Sequence, residues 1–355
     1  MELFTIAVPV IATDGKRTMR AIVINCSAKH YNLGQAKLAD WLTSQGHTIE
    51  AHSGDPHLFA YGFDLVCLSV VFSWDAPAAR QIALRLKGNS EVWCGGPGMT
   101  GLSHWWERET GLECHTGLDW RFERQRGRYR MTFASRGCPV GCYFCIVPRI
   151  EGAEFTLDYD FVPAPILCDN NLSALPAEFQ EHIIRRYIET DTPLLDANSG
   201  FEPAAFSEDT YRRWKPILRG PWRFAFDELH ERGEVKLMMR ILKVESPRRK
   251  RVYVLVGNEP VESCYERAVR VIEWGGEPFC QFLKPLNWLG DVNSLKPRFD
   301  WTVRLGVDFC RYFNRHLWRS IPLAEYKPRK NDVAPFGSIF NLNSFGLVRI
   351  KSKAA

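Results

Sequence analysis

The sequence predicts an α/β protein, with a doubly wound parallel sheet in its N-terminal part and a partial barrel of about six β/α units after it. Two observations support this fold class. Apolar runs bounded by turn residues alternate with segments of helical periodicity, as they do where helices connect parallel strands. The alternation then restarts in the middle of the chain and continues to about residue 286.

The N-terminal domain is predicted to span residues 1–115. Two segments have helical periodicity and end at a glycine stop signal, residues 33–46 and 76–88. Three apolar runs are predicted strands, at residues 21–26, 64–72 and 91–98. These elements indicate a doubly wound arrangement.

The second domain is predicted to span residues 116–290, and an aromatic-rich extension with one helix follows at residues 291–355. A basic hairpin with Gly127 in its turn is expected at residues 120–131, followed by a strand just before Cys138. Five further strands are expected at residues 166–171, 194–200, 222–228, 252–259 and 278–286. In such barrels the loops at the carboxyl ends of the strands carry the chemistry.

Composition indicates a soluble globular protein, since 45% of the 355 residues are hydrophobic, 25% are charged and the net charge is +5. No apolar run is long enough to span a bilayer. The N-terminus lacks a basic region and a cleavage site, which argues against a signal peptide and predicts a cytoplasmic protein. Eleven cysteines, an odd count, argue against a complete disulfide framework.

Three cysteines, Cys138, Cys142 and Cys145, form a CxxxCxxC motif. Thiolates are the usual ligands of iron–sulfur clusters, and three of them hold three irons of a four-iron cube and leave the fourth open. Gly137 and Gly141 let the backbone approach the sulfides. The alternative is zinc, for which Cys114 and His115 lie upstream, although zinc sites favour a second CxxC knuckle that the sequence lacks.

With Phe144 before the last cysteine and Ser135-Arg136-Gly137-Cys138-Pro139 leading in, the motif resembles the radical S-adenosylmethionine (SAM) superfamily. The lead-in is typical of members with an N-terminal cobalamin-binding or related domain. The resemblance covers about residues 20–286. It implies that a [4Fe-4S] cluster binds the amino and carboxylate groups of SAM. An electron, supplied by a reductase or by a flavodoxin or ferredoxin, would break the S–C5′ bond, and the 5′-deoxyadenosyl radical would abstract hydrogen from the substrate.

The resemblance also implies SAM contacts at the strand ends, although this sequence lacks the Gly-Gly-Glu of many members. An alternative for residues 169–171 is a helix N-cap, since Asp and Asn favour that position. No catalytic residue is assigned. The predicted cofactor-binding residues are Phe144, Asp169, Asn170, Asn198, Asp227, Glu228 and Gly257.

The N-terminal domain resembles a cobalamin-binding Rossmann-type domain. The DxHxxG motif of the axial histidine is absent, and the matching loop contains only His30, at the wrong spacing. Cobalamin is therefore expected to bind without a protein ligand to cobalt, the alternative being a domain that has lost the ligand. The site is predicted to use backbone approach at Gly95, Gly96 and Gly98 and the loop around Ser69 and Ser73.

The predicted reaction is modification of an unactivated C–H position, with cobalamin-dependent methylation among the candidates, on a small-molecule or RNA substrate. A methylthiotransferase is the first alternative, with Cys26, Cys67 and Cys94 holding a second cluster, although buried single cysteines usually act as small hydrophobic residues. A non-catalytic iron–sulfur or zinc module that binds nucleic acid is the second. Arginines near the motif and residues 248–251 suit a phosphate-bearing partner or a solvated surface.

Overall fold

The computed structural model describes residues 18–296 and 298–327. The apolar N-terminal stretch and the end of the predicted extension lie outside these residues. The chain divides into two compact units. The first contains the described residues up to Tyr129, together with Gly137–Glu154 and Pro285–Asp291. The second contains Arg130–Arg136, Phe155–Lys284 and the described residues from Val292 onward.

A four-stranded parallel sheet forms the centre of the first unit, in the order β2-β1-β3-β4. Its strands are β1 (Arg20–Asn25), β2 (Thr48–Ser53), β3 (Leu65–Ser69) and β4 (Glu91–Gly95). Three helices connect or follow them, α1 (Leu33–Ser44), α2 (Ala76–Leu86) and α3 (Ser103–Thr110). Strand β2 was not predicted, because this edge strand is mostly polar and only partly buried.

Both faces of the sheet are covered, as the apolar runs of β1 and β3 predict. Ile22 and Ile24 belong to the cluster that includes the apolar residues of α2 and α3. Ala21 and Val23 point to the opposite face, where they pack in a cluster with Leu42 of α1. The parallel α/β character predicted for this region is therefore confirmed.

The predicted basic hairpin at residues 120–131 is wrong. A short helix, α4 (Trp120–Glu123), begins there, and its N-cap Asp119 accepts a hydrogen bond from the backbone N–H of Arg121. The Arg121 side chain also pairs with the Asp119 carboxylate at 2.5 Å. The Asp119 cap competes with extended backbone, so the alternating arginines do not follow the pleat of a strand.

The second unit contains six parallel strands in two ladders, β5-β8-β9 and β10-β11-β12, and an antiparallel pair, β6-β7. The first five strands are short, β5 (Met131–Thr132), β6 (Ser135–Arg136), β7 (Thr156–Leu157), β8 (Ile166–Leu167) and β9 (Asp196–Ala197). The others are β10 (Trp222–Phe226), β11 (Lys250–Val256) and β12 (Glu277–Phe282). The six parallel strands lie within or beside the predicted segments.

Helices alternate with these strands. The turn α5 (Val147–Ile150) follows the cysteines and belongs to the first unit. The second unit contains α6 (Ala177–Glu189), α7 (Glu208–Trp214), α8 (Arg232–Ile241), α9 (Val261–Glu273) and α10 (Val303–Asn314). Of these, α8 was not predicted. The helix predicted in the extension is present as α10, whose Asn314 side chain hydrogen-bonds both backbone groups of Cys280 in β12.

Strand β10 shows how the core of the second unit forms. Trp222, Phe224 and Phe226 are buried, and the residues between them point to the other face. On that other face Arg223 makes a bidentate pair with Asp196 of β9, at 2.5 and 2.6 Å, and also contacts Tyr253. Outside the ladders, isolated parallel bridges such as Leu194–Leu218 join the two groups of strands. The ion pair thus reinforces the place where continuous backbone pairing stops.

Within the described residues, no helix is both long and apolar enough to cross a membrane.

Candidate functional site

The three cysteines of the motif lie on a loop of the first unit, and all three are half-buried. The backbone N–H of Cys145 donates to the carbonyl of Cys142 at 3.0 Å, which closes a turn between them. The sulfur of Cys145 accepts the backbone N–H of Val147 at 3.4 Å. Such bonds to sulfur favour a thiolate and tune a cluster bound to it. All eleven cysteines lie in the described part of the chain, and none forms a disulfide.

Close packing holds the two ends of this loop together. Gly137 has φ +87°, and a Cβ atom on it would lie 2.0 Å from the carbonyl oxygen of Glu154. The N–H of Gly137 donates to the carboxylate of Glu151 at 2.9 Å. The N–H of Cys138 donates to the carbonyl of Gly152 at 3.4 Å. The backbone at Cys138 is therefore hydrogen-bonded to residues at the other end of the loop.

The donor set fits a four-iron cluster. The described residues contain no group of three His, Cys, Asp or Glu side chains placed to hold one metal ion. A cluster makes a different demand, because each thiolate binds a separate iron atom and the three need not converge on one point. The three thiols are half-buried on one loop and one already accepts a backbone N–H, so their type and spacing suit ligands to three separate irons.

The cysteines of the second-cluster alternative are placed differently. Cys67 lies inside β3 and Cys94 inside β4, both buried, and Cys26 follows β1. Burial raises the pKa of Cys26 to about 12 and raises the pKa values of Cys67 and Cys94 as well. Thiols that keep their protons are poor ligands, so the surroundings of these residues favour a packing role.

Asp169, a predicted SAM contact at the end of β8, is wholly buried. One carboxylate oxygen accepts the N–H of Ala134 at 2.8 Å, and the other accepts the hydroxyl of Ser135 at 2.5 Å. Burial raises the pKa of Asp169 to about 6, against the opposing effect of these hydrogen bonds. Because Asp169 is 0% exposed, contact with SAM would require its carboxylate to become accessible.

A pH-dependent stability follows from this burial. The folded protein keeps the Asp169 proton up to about pH 6, whereas the unfolded chain loses it near pH 4. The contribution is full below about pH 4 and is lost as pH rises through about 6, so the free energy of unfolding should fall by about 3 kcal/mol over this range. In Asp169→Asn this part of the pH dependence should vanish. Urea unfolding of both proteins at several pH values measures it, and parallel pH profiles would contradict it.

The neighbouring polar residues divide between two roles. Asn170 is half-buried. Asn171 is buried, and its side-chain oxygen accepts the N–H of Ala174 at 3.2 Å. This bond closes a turn and does not cap a helix, because α6 begins at Ala177 with Pro176 at its N-cap. Asn198 and Ser199 are exposed at the end of β9, where Ser199 donates to the carbonyl of Cys168 at 3.3 Å. Asn170 and Asn198 thus keep accessible surface at their strand ends.

Asp227, at the end of β10, is half-buried among other charged groups. Burial, and then the negative charge of Glu231, raise the pKa of Asp227 to about 7. Its backbone carbonyl accepts the side chain of Asn258 at 2.6 Å. Glu228 forms a reciprocal capping box with Glu231, which occupies much of its hydrogen-bonding capacity. Asp227 therefore has a carboxyl group whose pKa lies near neutral pH.

Arg267 on α9 was not predicted from the sequence. It is fully buried, and it donates to the carbonyls of Phe226 at 2.5 Å and Leu255 at 2.9 Å. It also pairs with Glu259 at 3.0 Å. These bonds tie together the carboxyl ends of β10 and β11. Its position on the buried face of α9, beside Cys264, was the signal that could have revealed it.

Gly257, a predicted cofactor-binding residue, has a close neighbour from its own unit. A Cβ atom there would lie 2.8 Å from the ring of Phe282. The absence of a side chain at Gly257 therefore makes room for Phe282. Phe144, the aromatic residue before the last cysteine, is half-buried and packs edge-to-face on Tyr143 at 5.2 Å.

In the first unit, the strand order changes direction between β1 and β3, the position where doubly wound sheets bind ligands. Buried polar residues lie there. Asn32 donates to the side chains of Asn25 at 3.1 Å and Ser69 at 2.9 Å. His30 is exposed, and its ring contacts the edge of Phe72 at 5.1 Å.

The predicted cofactor approach at Gly95, Gly96 and Gly98 is not supported, because protein atoms fill the space at each glycine. A Cβ atom would lie 3.2 Å from His115 at Gly95, 2.5 Å from the Val70 carbonyl at Gly96 and 2.6 Å from the Phe72 backbone at Gly98. Ser73 is also engaged, since its hydroxyl donates to the carbonyl of Trp288 at 2.7 Å. The segment Pro285–Asp291 thus packs against the loop after β3.

Two of the four basic residues at positions 248–251, Arg249 and Lys250, offer little free charge. Arg249 pairs with Glu245 at 3.1 Å and donates to the carbonyl of Leu218 at 3.0 Å. Lys250 is buried, and desolvation lowers its pKa. Neither residue is presented to an anionic partner.

Fold and site together define a parallel α/β protein in which a compact three-cysteine loop follows the first of six parallel strands. No protein-family model and no curated protein matches the sequence. The chain is similar in structure to OxsB, a cobalamin-dependent S-adenosylmethionine radical enzyme solved with aqua-cobalamin and S-adenosylmethionine bound. The TM-score is 0.50 at 10% identity, over 84% of this chain. The chain spans 56% of the OxsB chain, and the similarity concerns the fold.

Proposed function

We propose that this protein is a radical SAM enzyme that cleaves SAM reductively and uses the 5′-deoxyadenosyl radical to modify an unactivated C–H position. The observation that carries the proposal is the CxxxCxxC loop. It is closely packed at Gly137, and it follows the first strand of a parallel series in the chain. The fold shared with OxsB supports it. The six parallel strands would then be those of a partial barrel.

In this proposal Cys138, Cys142 and Cys145 hold three irons of a [4Fe-4S] cluster. The cluster, when bound, supplies the electron that breaks the S–C5′ bond, and a reductase, flavodoxin or ferredoxin restores it. The protein binds and orients SAM and keeps water out of the site. Reductive cleavage is tested by incubating reconstituted protein with dithionite and SAM, then measuring 5′-deoxyadenosine and methionine.

At the strand ends, Asn170, Asn198, Asp227 and Glu228 are proposed SAM contacts that retain accessible surface, and Phe144 also retains some. Gly257 and the buried Asp169 remain predicted contacts. Asp227 is suited to hydroxyl groups, because a carboxyl with a pKa of about 7 either donates or accepts a hydrogen bond near neutral pH.

Cobalamin-dependent methylation is one candidate for this reaction, and a neighbouring structure that is a cobalamin-dependent radical enzyme is compatible with it. The two alternatives have weaker support. A methylthiotransferase needs a second cluster on cysteines that are here buried or carry a raised pKa. The nucleic-acid-binding alternative requires a basic hairpin at residues 120–131, and the structure has helix α4 at the start of that segment.

Reconstitution should yield about four irons and four sulfides per chain, since one cysteine triplet has cluster spacing. Changing Cys26, Cys67 and Cys94 together to Ala should leave this iron content unchanged, because their pKa values are raised by burial. Iron and sulfide assays on both proteins provide the measurement. About eight irons, half of them lost in the variant, would establish the methylthiotransferase instead.

The cobalamin part of the proposal predicts that hydroxocobalamin stays bound after desalting and that His30→Ala leaves its absorption spectrum unchanged. His30 lacks the spacing of an axial ligand, and its ring packs against Phe72. A spectral shift in the variant would mean that His30 reaches cobalt. No retained colour would remove cobalamin, and with it methylation, from the proposed function.

A further inference from the structure

In the chain, the cysteine loop is flanked by two short segments of the second unit, which we call the neck. It consists of residues 134–136 on the way out and residues 156–158 on the way back. Ser135 and Arg136 pair antiparallel with residues 156–157 as strands β6 and β7. The N–H of Asp158 donates to the carbonyl of Ala134 at 2.8 Å. Two residues on each side are thus the whole of this ladder, a short support for a loop of this length.

Asp169 adds two hydrogen bonds to the few that the short ladder provides. It lies outside the neck, at the end of β8, and both of its carboxylate oxygens bind the outgoing limb, at the Ala134 N–H and the Ser135 hydroxyl. All three residues are 0 to 1% exposed, so water cannot replace either bond. A buried donor left without its acceptor is costly, which makes these two bonds important to the position of the limb.

We propose that Asp169 is a positioning residue for the cluster loop: its buried carboxylate holds the outgoing limb of the neck and so sets the place from which Cys138 begins the loop. The limb runs from Ser135 through Arg136 and Gly137 directly into Cys138, so movement at Ser135 reaches the first ligand through two residues. The part of the proposal that concerns the cluster rests on the proposed function. The part that concerns the neck does not.

The test uses hydrogen–deuterium exchange on the full-length protein as purified, before any iron is added. Asp169→Ala should raise exchange about tenfold in peptides that cover residues 134–145, because the Ala134 N–H and the Ser135 hydroxyl lose their acceptor. Peptides from β10 and β11 should exchange as in the wild type, which shows that the fold is intact. Asp169→Asn should restore slow exchange, since its amide oxygen still accepts the Ala134 N–H and its amide nitrogen donates to Ser135.

Ser135→Ala removes one of the two bonds and should have a smaller effect, about threefold. It also keeps the proposal testable if Asp169→Ala does not fold. After reconstitution, Asp169→Ala should lose iron to a chelator about tenfold faster than the wild type, and Asp169→Asn should behave like the wild type.

Two results would overturn the proposal. The first is unchanged exchange at residues 134–145 in both Asp169→Ala and Ser135→Ala. The second is unchanged exchange in Asp169→Ala together with weaker SAM binding in Asp169→Asn, which would make Asp169 a cofactor contact and not a positioning residue. Failure of the proposed function gives another result. The wild type would then bind no cluster, but hydrogen exchange at residues 134–145 would still depend on the residue at position 169.

Discussion

Replacing any one of Cys138, Cys142 and Cys145 with Ala should reduce 5′-deoxyadenosine formation to the level without protein. Each thiolate is expected to bind its own iron, so no neighbouring ligand replaces the one that is lost. Elsewhere in the described residues, no three His, Cys, Asp or Glu side chains are placed to hold a metal ion instead. Iron content and the cluster absorption band should fall with the activity, as anaerobic assays of each variant would show.

Cys310→Ala is the matched control. Cys310 is also half-buried, but burial raises its pKa to about 12, so it is expected to stay protonated and unligated. The variant should keep full iron content and full SAM cleavage. If the triple variant of the motif still produces 5′-deoxyadenosine, the proposed function is wrong.

Gly137→Ala should cost the protein its cluster, although it removes no ligand. The new Cβ atom would lie 2.0 Å from the Glu154 carbonyl oxygen, at a residue with φ +87°. Overlap with backbone cannot be relieved by rotating a side chain, and the left-handed conformation adds strain for any residue with a Cβ. The limbs of the loop must separate, at a cost of about 3 kcal/mol or more.

Gly141→Ala separates these two causes. Gly141 has φ +69°, but nothing lies within 4 Å of a Cβ atom built there. Among protein atoms only the backbone strain applies, about 1 kcal/mol, so Gly141→Ala should lose less stability than Gly137→Ala. Urea unfolding of both variants without iron would measure the difference. Equal loss of stability in the two would show that the contact with Glu154 is unimportant.

Local patterns predicted much of this fold. The apolar runs that became β10, β11 and β12 are parallel strands, because each packs apolar residues in the core of the second unit, which leaves an apolar signal. The signal failed where burial is partial, as in strand β2, and where a side-chain cap competes with extended backbone, as at Asp119. In each case the deciding contact is not visible in the hydrophobic pattern.

The predicted site shows the same division. The glycines at 95, 96 and 98 have the conformational freedom that a cofactor approach requires, but the structure fills their surroundings with its own atoms. Asp169 has a carboxylate at a strand end, as a SAM contact requires, but its partners come from a segment about 35 residues earlier, as the separation between Asp169 and Ala134 shows. The residue type at a strand end shows which groups a side chain is able to bind. It does not show which group the side chain binds in the folded protein.

The sequence by itself determined the chemistry of the candidate cluster, because thiol type and spacing are local properties that survive any packing of the rest of the chain. It likewise determined the parallel α/β class, through the periodicity of burial. Only the tertiary structure decided that Cys26, Cys67 and Cys94 carry raised pKa values and that Asp169 holds the neck. The physical reason is that desolvation and hydrogen-bond partners depend on which distant segments meet, and a buried polar group must bind whatever donor the fold brings to it.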